Sequence, residues 1–128
     1  MKIAVVILNW NGKKLLEQFL PSVVNYSLQN TDIYIADNAS TDHSIKYVTK
    51  HFPSIKIISN TINGGYAKGY NDALQNIQAD IYCLLNSDIE VTENWLEPIK
   101  SVFEIEKKTA IIQPKILDFK NKSKFHPI

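Results

Sequence analysis

The stretch Ile3-Ala4-Val5-Val6-Ile7-Leu8 runs without a polar residue into the turn Asn9-Trp10-Asn11-Gly12. An apolar run that lacks polar alternation is typical of a strand covered on both faces, as the strands of a parallel sheet are. After the turn, apolar residues recur at the spacing of a helix, at positions 15, 16, 19, 20, 23 and 24. Pro21 is expected to kink or shorten this helix. A strand, a turn and a helix in this order predict an α/β fold.

The same alternation continues along the chain. Four more runs are predicted strands: Asp32 to Ala36, Ile55 to Ile58, Asp80 to Leu85 and Ala110 to Gln113. Three more helices are predicted. Ser40, Thr41 or Asp42 caps the second helix, the third extends over about 67–77, and Thr92 caps the fourth. The pattern predicts one three-layer α/β/α unit with a mainly parallel sheet. The tail from Asp118 to Lys124 is either an edge strand or a loose end.

Length and composition restrict the class of protein. The 128 residues are 45% hydrophobic, which suits one domain with one packed core. Lys and Arg (14) nearly balance Asp and Glu (13), so no general positive field favours nucleic acid or an anionic membrane. The first apolar run is too short for a transmembrane segment or a signal peptide, which predicts a cytoplasmic location. Cys83 lies in an apolar run and is predicted to be a small core residue rather than a nucleophile.

Ligands of open parallel sheets bind beyond the carboxyl ends of the strands, so the loops there are the places to examine. These loops are Asn9 to Lys13, Asp37 to Asp42, Asn60 to Lys68, and Asn86 to Val91. In the first loop, Asn9 and Asn11 either hydrogen-bond a base or ribose or form a plain Asn-Gly turn. In the second, Asp37 either accepts the ring N–H of a uracil or thymine or satisfies local backbone amides.

The third and fourth loops suit the charged part of a ligand. Paired glycines before a helix, with Lys68 in its first turn, favour a phosphate but also suit a plain turn. Their spacing matches neither the dinucleotide fingerprint nor the phosphate loop, which disfavours a nicotinamide enzyme and an NTPase. Asn86-Ser87-Asp88 is either a β-turn or a site for Mg²⁺ or Mn²⁺, ions that take few protein carboxylates and fill the rest with water and diphosphate oxygens. Glu90 is the alternate ligand.

In this order, the loops resemble those of the family 2 glycosyltransferases with the GT-A fold, particularly bacterial rhamnosyltransferase-like members. The matching segments are Val5 to Asn11, Ile35 to Asp42 and the glycine-rich Asn63 to Asn71. Leu84-Leu85-Asn86-Ser87-Asp88 stands where the family has its D-x-D-type metal motif. The resemblance covers almost the whole chain.

The resemblance implies a role for each loop. Asp37 would contact the base, Asn9 and Asn11 would line the nucleoside pocket, and Asp88 would hold Mg²⁺ or Mn²⁺ on the donor diphosphate. The remaining residues implied to bind the nucleotide sugar are Asn63, Gly65, Lys68, Asn86 and Ser87. The implied partners are a nucleotide-diphosphate sugar and a saccharide or lipid-linked acceptor, without nucleic acid.

The implied reaction is an inverting, hexosyltransferase-type sugar transfer to an acceptor hydroxyl, in polysaccharide or glycolipid assembly. Asn86 departs from the family's Asp, which implies a weaker, substrate-dependent metal site. Chains of this family also continue further and supply the acceptor pocket and the general base. The 128 residues are therefore expected to be a truncated, donor-binding portion that is inactive alone, with the base beyond Ile128. Attachment to the inner face of the membrane is an alternative to a free cytoplasmic state for the full-length protein.

Two other functions are weighed against this one. A sugar-1-phosphate nucleotidyltransferase would also use an Asp-held metal, but it expects an arginine-rich first loop, and this chain has no arginine. A non-catalytic receiver-like domain would use Asp37 as a phosphate acceptor, but that leaves the glycine-rich and Asn86-Ser87-Asp88 loops unexplained. The three histidines are far apart in sequence and are assigned no catalytic role.

Overall fold

The structure is a computed structural model that describes residues 1–27 and 29–124. Within these residues the strands are β1 (Ile3–Asn9), β2 (Thr31–Asp37), β3 (Lys56–Ser59) and β4 (Ile81–Leu85). The helices are α1 (Lys13–Tyr26), α2 (Ser44–His51), α3 (Tyr66–Leu74) and α4 (Glu97–Ile105). The predicted alternation of strands and helices is confirmed over these elements.

The strands form one parallel sheet in the order β3-β2-β1-β4. Ile7 of β1 stands between Ile35 of β2 and Leu85 of β4, which fixes the register of the central strands. The chain passes outward from β1 to β2 and β3, and then returns to place β4 on the other side of β1. The direction of strand order therefore reverses between β1 and β4.

Both faces of β1 are buried, which explains its unbroken apolar sequence. The odd residues Ile3, Val5 and Ile7 belong to a core with residues of α1 and α2, among them Leu16, Leu20, Val23 and Val48. The even residues Ala4 and Val6 belong to a second core on the opposite face, with Tyr70 and Ala73 of α3. Helices thus cover the sheet on both sides, and the predicted three-layer α/β/α architecture is confirmed.

The fifth predicted strand, Ala110 to Gln113, is wrong. These residues form no strand, and Ile111 is 88% exposed. Their β-branched sequence raises strand propensity, but propensity depends on packing against neighbours, and no described element covers Ile111. The tail does not form an edge strand over 118–124, where Asp118 instead accepts the N–H groups of Lys120 and Asn121 in a turn.

Two expectations about helix length are also wrong. Helix α1 is not shortened at Pro21 but continues to Tyr26, because the buried side chains on either side of the proline hold it against the sheet. Helix α3 ends at Leu74 rather than Ile77, although Ile77 is still buried in a turn that follows it. No helix in the described part of the chain has the length and apolar character to cross a membrane.

The helix starts differ from the predicted caps. Helix α4 begins at Glu97 and not after Thr92, since Asn94 has a φ of 58° that an α-helix cannot contain, and Pro98 suits the first turn. At α2 the cap position belongs to His43, with a φ of 53° and no side-chain cap. Asp42 nevertheless serves this helix, because its Oδ1 accepts the N–H of Ser44 at 3.1 Å.

Cys83 lies on β4 and is partly buried against the core of the α1 face, where it packs as a hydrophobic residue. Burial raises the pKa of its thiol to about 11. Because the thiolate is the reactive form, we expect iodoacetamide at pH 8 to alkylate Cys83 at least about 100-fold more slowly in the native protein than in urea. Mass spectrometry of timed samples measures both rates, and equal rates would contradict the buried placement.

Candidate functional site

The loops examined in the sequence all leave the carboxyl edge of the sheet, because the strands are parallel. Strand order reverses between β1 and β4, and the crevice at such a reversal is where open α/β sheets bind ligands. Two surface recesses elsewhere, near Met1 and Asn30, lie at the amino edge and contain none of these loops. The candidate site is therefore the β1–β4 crevice with its surrounding loops.

The first two loops are joined by buried hydrogen bonds. Asn9 is only 1% exposed, and its Nδ2 donates to Asp37 Oδ1 at 2.8 Å, Ser44 Oγ at 2.9 Å and Ser40 Oγ at 3.2 Å. Its Oδ1 accepts the N–H of Gly12 at 3.2 Å. A side chain at Gly12 would lie 2.6 Å from that oxygen, so the glycine is required by this contact. The amide of Asn9 thus holds the carboxylate of Asp37 in place.

Asp37 is 5% exposed and accepts local donors. Its Oδ1 accepts the Ser40 hydroxyl at 2.6 Å, and its Oδ2 accepts the Ser40 N–H at 3.0 Å. A carboxylate has about four acceptor positions. Together with Asn9, these contacts occupy three of them and leave capacity on Oδ2. The local-amide interpretation of Asp37 is therefore confirmed, and it does not exhaust the carboxylate.

Asn11 makes a second link between the same loops. It has a φ of 49°, its Oδ1 accepts the N–H of Thr41 at 2.7 Å, and its own N–H donates to Ser40 Oγ at 2.9 Å. Trp10 between the two asparagines is 58% exposed. The backbone and amides of this loop are thus fixed, while an aromatic ring stands free at its tip.

Asp42 joins the starts of two helices. Its carboxylate accepts the N–H of Lys13, the first residue of α1, at 3.0 Å, and the N–H of Ser44, the first residue of α2. Burial acts to raise the pKa of Asp42, but hydrogen bonds from Ser44 and Lys13 outweigh it and lower the pKa below its usual value. The preferred interpretation of Asp42 as a local capping group is confirmed.

The glycine-rich loop is anchored by Asn38, which sequence reasoning did not assign. Asn38 is 2% exposed; its Nδ2 donates to Gly65 O at 3.2 Å and Asn63 Oδ1 at 3.3 Å, and its Oδ1 accepts Asn60 Nδ2 at 2.7 Å. A side chain at Gly69 would meet Asn38 at 2.7 Å, so the first turn of α3 packs directly on this amide. The signal in the sequence was a second polar residue directly after the strand, next to Asp37.

Lys68, the charged residue at the start of α3, is partly neutralised by Asp72. Gly65 has a φ of 90°, which favours glycine, and its N–H is accepted by Asn63 Oδ1 at 3.0 Å. Lys68 lies with its stem across Gly64 and its ammonium 2.5 Å from Asp72 Oδ2. Lys68 is therefore at the surface next to the glycine loop, paired with an acid one helical turn away.

The fourth loop holds an exposed carboxylate. Asn86 Oδ1 accepts the hydroxyl of Tyr66 at 3.3 Å. Asp88 is exposed and makes no hydrogen bond or ion pair with any of residues 1–27 and 29–124. Glu90, the alternate ligand, is also exposed, but it pairs with Lys122 at 3.3 Å. Of the two acids, Asp88 is the one whose oxygens have no partner among the described residues, which suits a cation.

A metal ion at this turn would depend on a bound diphosphate for part of its coordination. Over the described residues there is no cluster of three or more His, Cys, Asp or Glu side chains that could hold a metal ion. Mg²⁺ and Mn²⁺ accept one carboxylate when water and phosphate oxygens fill the other positions. The single carboxylate of Asp88 fits that requirement, and it does not fit a permanently bound structural metal.

Comparison with known proteins identifies the family of this chain. The model of glycosyl transferase family 2 matches residues 4–127. The poly(ribitol-phosphate) beta-glucosyltransferase of Bacillus spizizenii is 31% identical over 94 residues, which are 69% of this chain and 15% of that protein. An uncharacterized glycosyltransferase of Haemophilus influenzae is 24% identical over 105 residues, 80% of this chain and 32% of its own length. The chain thus spans less than half the length of these relatives.

Solved structures show the same fold. Residues 1–349 of S. aureus TarS in complex with UDP-GlcNAc superpose with a TM-score of 0.74 at 18% identity, over 94% of this chain and 42% of that one. The mannosyltransferase PcManGT from Pyrobaculum calidifontis, in complex with GDP-Man and Mn²⁺, gives a TM-score of 0.61 at 20% identity, over 70% and 28% of the two chains. These likenesses confirm the predicted GT-A type of α/β fold. With the family match over nearly all of its residues, the chain belongs to glycosyltransferase family 2.

Proposed function

We propose that this chain is the donor-binding part of an enzyme that transfers a sugar from a nucleotide diphosphate to an acceptor hydroxyl. The observation that carries the proposal is the pair of carboxylates on either side of the β1–β4 crevice. Asp37 is buried and held by Asn9, whereas Asp88 is exposed and unpaired within the described chain. The carboxylate of Asp37 therefore suits the N–H group of a base, and the carboxylate of Asp88 suits a metal cation.

The nucleoside end of the donor is assigned to the first two loops. The open acceptor position on Asp37 Oδ2 suits the ring N–H of uracil or thymine, since a carboxylate is a strong acceptor for that group. Asn9 and Asn11 define the pocket by fixing the loops around this acceptor. The exposed ring of Trp10 is available to stack on the base.

The diphosphate end is assigned to the third and fourth loops. When bound at Asp88, Mg²⁺ or Mn²⁺ would neutralise charge on the leaving diphosphate. Asn86 and Ser87 stand beside Asp88 and offer hydrogen bonds to ribose or water. On the other side, Asn63, Gly65 and Lys68 surround the amino end of α3, and Lys68 can exchange Asp72 for a phosphate oxygen.

We propose an inverting sugar transfer as the reaction, and the family supports the transfer itself. The acceptor oxygen attacks the anomeric carbon, the bond from that carbon to the diphosphate oxygen breaks, and attack from the opposite face inverts the configuration. The named sugars of the neighbours, GlcNAc and mannose, support a hexosyltransferase. The name of the poly(ribitol-phosphate) relative supports a saccharide or polyol-phosphate acceptor in cell-wall polysaccharide assembly.

No acid among the described residues is assigned here as the general base that removes the acceptor proton. Of the acids that follow Asp88, Glu90 pairs with Lys122, and Glu104 pairs with Lys100 on α4. Donor binding without transfer is therefore the activity proposed for this chain alone. Sugar transfer at a normal enzymatic rate by the 128 residues would contradict that assignment.

Calorimetric titration with UDP-, dTDP- and GDP-sugars tests the proposal directly. We expect at least one uracil or thymine donor to bind with Mn²⁺ present, and to bind about tenfold or more weakly when EDTA removes the metal. GDP-sugars should bind more weakly, because guanine is a larger purine whose ring N–H lies further from the ribose than that of uracil or thymine. No binding of any nucleotide sugar with Mn²⁺ would overturn the proposed function.

A further inference from the structure

Tyr70 on α3 carries a buried hydroxyl at the last rung between β1 and β4. The residue is 3% exposed, and its hydroxyl donates to Leu85 O at 3.0 Å and accepts the N–H of Leu8 at 3.4 Å. Burial raises the pKa of the phenol well above its usual range, so it stays a donor at any physiological pH. No part of the proposed donor site described above uses this group.

The position of the hydroxyl matters because the two strands separate directly after it. Beyond Leu8, β1 stays with β2, through Asn38 N to Asn9 O at 2.8 Å and the contact of Asn9 with Asp37. Beyond Leu85, the chain enters the turn Asn86–Asp88, which follows β4, an outer strand of the described sheet. The hydroxyl of Tyr70 therefore joins the nucleoside side of the crevice to its metal side.

The turn lies between Leu85 and Ile89, whose side chains pack in the core, and its own polar groups make few contacts with the described residues. Asn86 accepts the hydroxyl of Tyr66, whose ring packs edge-on against that of Tyr70 with centroids 5.0 Å apart. Asp88 has no partner in the described chain. Two tyrosines one helical turn apart on α3 thus bond the backbone oxygen of Leu85 and the side chain of Asn86.

Helix α3 is in turn tied to the end of β2. Asn38 contacts Gly65 O, and Asn60 Nδ2 donates to Gly69 O at 3.1 Å. Gly69 packs so closely on Asn38 that no side chain fits between them. A continuous set of contacts therefore runs from the strand end that carries Asp37, through α3, to the turn that carries Asp88.

We propose that Tyr70 is a positioning residue, which sets the distance between the metal turn and the nucleoside loops so that one donor can engage both. This rests on the proposed function. A donor that reaches Asp37 with its base and the Asp88-bound metal with its diphosphate requires a fixed span. Loss of the Tyr70 hydroxyl lets the turn move, which weakens the metal-dependent part of binding and leaves nucleoside binding unchanged.

Tyr70→Phe removes the hydroxyl and keeps the ring in the core. Tyr82→Phe is the control: its hydroxyl also bonds two backbone groups, Ile77 O at 2.9 Å and Ala79 N at 3.2 Å, but at the amino end of β4, and Tyr82 is 42% exposed whereas Tyr70 is 3% exposed. A purely structural role of Tyr70 would lower the melting temperature of Tyr70→Phe and leave the metal dependence of binding unchanged. A positioning role separates the two variants in the metal dependence of binding.

The experiment is calorimetric titration of the whole chain with UDP, with and without Mn²⁺, together with thermal melting of each variant. We expect the gain in UDP affinity on adding Mn²⁺ to fall about tenfold in Tyr70→Phe and to stay at the wild-type value in Tyr82→Phe, with equal affinities in EDTA.

An unchanged gain in Tyr70→Phe, or an equal fall in both variants, would overturn the inference. Tyr66→Phe is a second variant that should fold normally, because Tyr66 is 62% exposed; it removes the bond from α3 to Asn86, and a gain that stays at the wild-type value would contradict positioning of the turn by α3. Absence of any Mn²⁺ effect in the wild type would count against the proposed function itself.

Discussion

Asp88→Asn is expected to remove the metal dependence of nucleotide-sugar binding while the protein stays folded. The asparagine keeps the size of the side chain but lacks the charge that a hard cation prefers. With Mn²⁺ present, we expect the dissociation constant of the preferred donor to rise about 30- to 150-fold, which is about 2 to 3 kcal/mol. In EDTA the variant and the wild type should bind alike. Calorimetry under both conditions measures the effect.

The melting temperature supplies the check on folding. Asp88 is exposed and has no partner among the described residues, so its replacement should leave thermal stability unchanged. Glu90→Gln is the matched control, because Glu90 is also an exposed acid and stands two residues from Asp88. Its replacement removes the same charge, but from a side chain that pairs with Lys122. Loss of metal dependence in Glu90→Gln, with wild-type behaviour of Asp88→Asn, would assign the metal to Glu90 instead.

Asn9→Asp is expected to give the largest loss of stability. The change is nearly isosteric, but it places a second carboxyl where Nδ2 now donates to Asp37 Oδ1 at 2.8 Å, and both residues are buried. Two buried carboxylates cannot both ionise at this distance without a large cost. We expect the free energy of unfolding at pH 8 to fall by about 3 kcal/mol, measured by urea denaturation.

The loss should depend on pH with a definite sign. In the folded variant the pair would share one proton, with an apparent pKa above the ordinary value of about 4 of an unfolded aspartate. The folded state then binds more protons than the unfolded chain, so the destabilisation shrinks as the pH falls through that raised pKa. Asn11→Asp is the control, since its Oδ1 already acts as an acceptor at the surface. Equal stability losses in the two variants, or a loss independent of pH, would contradict the buried contact.

Much of the fold follows from local sequence patterns. Short runs rich in β-branched residues predicted β1, β2, β3 and β4. Only β1 has the unbroken apolar sequence of a strand buried on both faces. The failures have one cause. Ala110 to Gln113 has the composition of a strand but does not form one, and a helix continues through Pro21 although proline usually ends a helix. In both cases packing decided the outcome. Local propensity is weak compared with the burial of a whole face.

The candidate site was predicted less completely than the fold. The four loops were located from the sequence because parallel strands place their carboxyl ends at one edge. The sequence did not distinguish side chains that hold the site together from those that face a ligand. Asn38 was overlooked, although it anchors the glycine-rich loop, and Lys68 was not expected to be paired with Asp72.

The sequence alone therefore determined the alternation of strands and helices, the loops that form the site, and the family, since each depends on residues that are neighbours along the chain. The tertiary structure decided which polar groups are already bonded to one another and which stay free. Asn9 meets Asp37 across 28 positions, and Tyr70 meets Leu85 across 15. Contacts of that kind depend on the register of parallel strands and the packing of α3, which no local pattern encodes. The same packing leaves Asp88 without a partner in the described chain, and that makes it the carboxylate to test first.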